Sequence, residues 1–169
     1  QIVFSALKRT STHSEAVPVL RLCLSIGSHF VYHQPRTPGR AAGAFLVGAV
    51  TIQVARLIGT ALPDQMLVGD FQRPLGLGQN RANAETFLLA VSERLAALKH
   101  LSVLGYRIDR VAFYLTGPRD TEGRHVPALM TITDKHGFEH RCYNAKLNAF
   151  AEQGEPYYCG LQHGDLEKT

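Results

Sequence analysis

No run in this sequence is long and apolar enough to cross a bilayer as a helix. A span takes about 18 or more apolar residues. The longest nearly apolar stretch, Ala41 to Val50, is shorter and is interrupted by Gly43 and Gly48. No secretory leader is recognisable, and there is no internal repeat or low-complexity tract. Cysteine is scarce: Cys23, Cys142 and Cys159 are odd in number and widely spaced. That excludes a disulfide framework and suits the reduced thiols of a cytoplasmic protein. No run of five or more Lys or Arg occurs, and no aromatic-basic motif of the RNA-binding type. No complete metal-dependent or nucleophilic site is legible, so no catalytic residue, metal ligand or cofactor is assigned.

What is present suits a folded domain. The 169 residues are 45% hydrophobic and 19% charged, which argues against disorder. A chain of this length buries enough surface to fold without metal or disulfide staples. The net charge of +4 and pI of about 9.1 point to an anionic partner. The chain begins at Gln1 rather than Met, inside an apparent strand, as expected of a fragment.

Hydrophobic periodicity supplies the elements. Gln1 to Leu7 suits a short buried strand. Leu20, Leu22, Leu24 and Ile26 alternate as one face of a strand over Val19 to Ile26. His29 to His33 suits its return strand, and Gln34 to Gly43 a loop with two prolines, two glycines and two arginines. Val47, Val50, Val54, Leu57, Ile58 and Ala61 fall at helical spacing, ended by Pro63-Asp64. Met66 to Phe71 is a compact strand and Pro74 to Arg81 a Gly-rich loop. Asn83 is placed to cap a second helix with a stripe of Phe87, Val91, Leu95, Leu98 and Leu101; Gly105 suits its C-terminal turn. Tyr106 to Thr116, Val126 to Thr133 and Phe138 to Phe150 are three strands, the last two joined by a tight turn at Asp134 to Gly137.

The expected fold is therefore α+β: a ferredoxin-like layered sheet of mostly antiparallel strands with helices on one face. Residues 1–150 form the domain and 151–169 a polar C-terminal tail.

Four sets of residues invite chemistry. His136, His140 and Cys142, near Asp134, have the types to ligate zinc, although no fourth ligand is evident. Cys142, His140 and Asn144 resemble a Cys-His-Asn set, but neighbours two apart on a strand aim in parallel. Gly76-x-Gly78 before a helix could cradle a phosphate, against a plain flexible connector. His33, Arg36 and Arg40 in the Pro/Gly loop make an anion site or a solvated basic loop.

Leu20 to Phe71, about a third of the chain, resembles the second half of a class III nucleotidyl cyclase homology domain. The strand Leu20-Arg21-Leu22-Cys23-Leu24-Ser25-Ile26-Gly27 matches that family's strand. Gly48-Ala49-Val50-Thr51-Ile52-Gln53-Val54-Ala55-Arg56-Leu57 matches its G-x-x-V-N-x-A-x-R-L helix. Pro63-x-Gln65-x-Leu67-Val68 matches the strand after it. The resemblance implies a signalling domain working as a homodimer, with nucleotide triphosphates at the interface and Arg56 as the relic of a transition-state arginine.

It also implies degeneracy. The family's first metal-binding aspartate corresponds to Ala6, the stretch bearing the second is reduced to a short loop, and the transition-state asparagine corresponds to Ile52. Without carboxylates to place metal ions, turnover is not expected. The expected phosphate-binding residues are Arg56, Arg36 and Arg40. Arg56 projects beside the apolar stripe, so its removal is expected to cost less than about 1 kcal/mol. The alternative reading is an unrelated α+β module for an anionic ligand or nucleic acid.

Overall fold

The computed structural model describes residues 20–39, 42–74, 81–98, 102–103, 105–153 and 156–166. The expected first strand at residues 1–7, with Ala6, and the Gly76-x-Gly78 segment lie outside them.

The chain builds a layered α+β fold around a mostly antiparallel sheet. Its centre is β10 (Glu139–Ala151), long enough to carry two strands along each side. On one side run β4 (Met66–Gly69) and, further along, β11 (Tyr157–Cys159). On the other run β9 (Leu129–Thr133) and β8 (Tyr106–Leu115). Leu115 stands opposite Ala145 and Leu129 opposite Tyr143. The strands β8 and β9 are thus one line of chain interrupted by an excursion. Gly117 lies at its neck, where a Cβ would come within 1.8 Å of the Val126 carbonyl oxygen, so a side chain is excluded.

Beyond β4 lies β1 (Leu22–Leu24), paired in parallel: Leu22 with Met66, Cys23 with Leu67, Leu24 with Val68. Parallel neighbours need a crossover. It contains helix α1 (Ala49–Thr60), preceded by a separate hairpin of β2 (Phe30–Gln34) and β3 (Gly43–Val47). The sequence suggested that His29 to His33 returns along β1. Phe30–Gln34 pairs instead with Gly43–Val47, of which the sequence assigns only Gly43 to a loop and Val47 to a helix. The alternation that seemed to open the helix at Val47 belongs to β3.

Two short pairs complete the described strands: β5 (Gln72–Pro74) with β6 (Arg81–Asn83), and β7 (Ser102–Val103) with the start of β8. Helix α2 (Ala84–Ala96) begins as expected: the Asn83 side chain accepts the Thr86 N–H at 2.9 Å. Its buried positions are Ala84, Leu88 and Ser92, with Phe87, Val91 and Leu95 half-buried beside them. Gly105 takes φ +83 but turns β7 into β8, nine residues past the end of α2, rather than closing the helix.

The helices divide between the two faces. Met66 and Val68 pack with Leu88 of α2, whereas Leu67 packs with Leu57 of α1. Successive strand residues point to opposite faces, and β4, buried at every position, offers an apolar group to each. The one-face arrangement anticipated from sequence fails for that reason, while the layered α+β class and antiparallel sheet hold.

Within the segment 151–169, expected to be a polar tail, β11 pairs with β10 and joins the sheet. Tyr157 and Cys159 are buried on the α2 face, and a single helical turn, α3 (His163–Leu166), follows. Asn144 holds this return in place. Its amide donates to the Thr116 hydroxyl at 2.7 Å and the Leu161 carbonyl at 2.8 Å, and its oxygen accepts from Gln65 at 3.2 Å.

Candidate functional site

The tight turn between β9 and β10 is built on Asp134. Its Oδ1 accepts the backbone N–H of His136 at 2.8 Å and of Phe138 at 3.0 Å. Gly137 supplies the φ of +80 that closes the turn. Oδ2 faces the other way, 3.0 Å from His140 Nε2 and 3.2 Å from Nη1 of Arg56. Only 3% of the Asp134 side chain is exposed, against 30% for Arg56. The Arg56 guanidinium also lies 4.7 Å from the centre of the Phe138 ring.

Helix α1 is thereby tied to the β9–β10 turn through one carboxylate. The hydrogen bond from His140 is the main cause that holds Asp134 well below the usual carboxylate range. The two backbone N–H groups and the Arg56 charge add to it, and burial opposes it.

Arg56 stands between two hollows. One, of about 830 Å³, runs along the start of α1 to the outer end of β10. Ser28, Gln53 and Arg56 line one wall and His140, Arg141 and Asp70 the other. Arg141 Nη2 meets Asp70 Oδ2 at 3.0 Å, and Gln53 is fixed by the Ser25 hydroxyl at 2.9 Å. The other hollow, of about 420 Å³, lies between Ala55, Arg56 and Gly59 of α1 and residues 134–136. At the helix entrance Gly48 lets the hairpin come close: a Cβ there would stand 2.8 Å from the Ser28 carbonyl oxygen.

The residues expected from sequence are placed as follows. Arg56 reaches this cleft, but with its charge already engaged. Arg36 is exposed beyond the end of β2 and lines neither hollow, and Arg40 lies outside the described residues. Ile52 is 54% exposed and also borders the larger cleft.

The zinc-like trio is not assembled. His140 faces Asp134, His136 contributes its backbone N–H, and Cys142 is fully buried among Leu57, Ala61 and Leu67. No group of three His, Cys, Asp or Glu among the described residues is arranged to hold a metal ion. The Cys-His-Asn reading fails on the same geometry, because Asn144 is committed to Thr116, Leu161 and Gln65. Burial, with Cys23 nearby, pushes the Cys142 thiol up to about 12, and burial pushes Cys23 to about 11. Neither is an activated nucleophile.

Asp134 and Arg141 are what sequence reasoning missed. Asp134 was visible as a turn residue; its second oxygen's partner sits 78 positions away on α1, as the numbering of Arg56 shows. No family model, no curated protein and no solved structure matches the chain.

Proposed function

We propose that the chain is a degenerate domain of the class III nucleotidyl cyclase type, which binds a nucleotide triphosphate beside α1 without converting it. The observation that carries this reading is the cleft of about 830 Å³ reached by Arg56, the residue the resemblance assigns to phosphate. Arg141 and His140 on the opposite wall and the Ser28 and Gln53 side chains add donors suited to a polyanion. A guanidinium has five N–H donors, and Asp134 engages one Arg56 nitrogen, leaving others for phosphate oxygens.

The role in signalling follows from binding without turnover: occupancy changes how α1 is held against the sheet. The domain works as a homodimer. Supporting this, the β2–β3 hairpin presents Phe30, Tyr32, Phe45 and Leu46 to solvent, at 80%, 60%, 52% and 59% exposure. A two-stranded ribbon is marginal alone, and such patches mark interaction surfaces.

Calorimetric titration with ATP and GTP in the presence of manganese tests the reading. Saturable binding of one of them, weakened in both Arg56→Gln and Arg141→Gln and accompanied by no cyclic nucleotide, is the expected result. Absence of binding to either nucleotide overturns the assignment of the cleft. Sustained production of cAMP or cGMP overturns the degeneracy.

A further inference from the structure

The cleft beside α1 holds more than its charged groups. Two large apolar side chains also stand in it, one from the helix and one from the β9–β10 turn. Ile52 is 54% exposed and Phe138 is 56% exposed, and both line the hollow of about 830 Å³. Exposed apolar residues scattered singly are ordinary. Here two of them are brought into one hollow from distant parts of the chain.

Their positions are set by groups that also place the charges. Ile52 and Arg56 are one helical turn apart and share a flank of α1. Asp134 fixes Phe138 at its backbone: Oδ1 accepts the Phe138 N–H at 3.0 Å, and the Phe138 carbonyl accepts the Asp134 N–H at 2.9 Å. The other oxygen of the same carboxylate holds Arg56, whose guanidinium lies 4.7 Å from the centre of the Phe138 ring. One carboxylate thus sets ring and cation together. Arg56 covers one face of the ring, and more than half of the side chain remains in solvent, so the ring still offers apolar surface to the cleft.

The charges of the cleft are mixed. Arg56, His140 and Arg141 line it, and so do two carboxylates, Asp70 and Glu139. Asp70 is paired with Arg141 at 3.0 Å, and Glu139 is exposed. A ligand charged along its whole length meets Glu139 and leaves Ile52 and Phe138 in water. A ligand with phosphates at one end and a flat uncharged ring at the other uses both kinds of surface. Aromatic side chains hold bases by stacking, whichever base is present, because every base has a flat face.

We propose that Phe138 and Ile52 form a base subsite, in which a nucleobase stacks on the free face of Phe138 and packs against Ile52 while Arg56 and Arg141 meet the phosphates. The subsite rests on the nucleotide reading of the cleft and makes its ligand a nucleotide rather than an inorganic polyphosphate.

Calorimetric titration of the full chain with ATP and, separately, with inorganic tripolyphosphate tests it. The second probe carries the phosphates without the base. ATP is expected to bind roughly tenfold or more tightly than tripolyphosphate in the same buffer, the size of one stacked base. Phe138→Ala should lower the affinity for ATP roughly tenfold and change that for tripolyphosphate less than about twofold. Phe138→Tyr should retain the affinity for ATP, because the ring remains. Ile52→Ser should weaken ATP and spare tripolyphosphate in the same way. Melting curves check that each variant folds; the Phe138 backbone, not its ring, makes the hydrogen bonds of the turn.

Equal affinity of the wild-type chain for ATP and tripolyphosphate overturns the base subsite and leaves the cleft a phosphate site. A Phe138→Ala loss as large for tripolyphosphate as for ATP also overturns it, because the ring then acts only through Arg56. Binding of neither probe overturns the nucleotide reading of the cleft, and the subsite with it.

Discussion

At the scale of single residues, Asp134 has the most consequences. Its two oxygens accept from a backbone turn on one side and from His140 and Arg56 on the other. Removing the carboxylate leaves several donors without their acceptor at once. Asp134→Ala is therefore expected to lower the melting temperature more than neutralising an exposed charge such as Glu122 does. Arg56→Ala is likewise expected to destabilise, against the small effect that sequence position alone suggested, because it strips a buried carboxylate of its cation.

The pH dependence follows with its sign. A carboxylate held below its ordinary value stabilises the fold fully above the unfolded value, about 3.9. That contribution is lost as pH falls from there through the lower folded value. Wild-type protein should thus lose stability below about pH 4, and Asp134→Asn should show a shallower loss over that range in acid-melting curves. At the thiols the expectation is inertness. Cys23 and Cys142, raised to about 11 and about 12, should resist iodoacetamide at neutral pH and react once the protein is denatured, as mass spectrometry would read.

At the scale of elements, α2 is fixed at its start and at its middle by different devices. Asn83 caps the first turn, so Asn83→Ala should cost about 1 kcal/mol in denaturant unfolding. Ser92 joins helix to sheet: its hydroxyl donates to the Leu88 carbonyl at 2.9 Å and accepts the Phe113 N–H at 2.7 Å. Ser92→Ala leaves that strand N–H without an acceptor, and a loss of about 1–3 kcal/mol is expected in the same measurement. Helix α1 has no side-chain cap at Gly48. Leu57 anchors it below, with Ala61 just past its end, and Arg56 ties its flank to Asp134.

At the scale of the whole molecule, the exposed hairpin decides how the protein behaves in solution. Phe30 and Phe45 sit on adjacent strands of a ribbon that is separate from the main sheet. If a second copy covers it, sedimentation should show a dimer that Phe30→Asp converts to monomer with little change in melting temperature. A wild-type chain that stays monomeric as concentration rises would leave the hairpin to another partner.

Much of this could be read from order along the chain. The periodicity of α1 and α2, the cap at Asn83, the turn at Asp134 to Gly137 and the three late strands depend on neighbours within a few residues, and sequence spacing reports such contacts directly. Tertiary structure alone decided the rest. The hairpin partner of β2 was hidden because residues 43–47 fit two periodicities. The division of helices between faces depended on β4 being apolar on both sides. Arg56 looked like a surface arginine because its carboxylate comes from the far end of the sheet. Linear motifs register groups that are close in sequence, and these are brought together by pairing register.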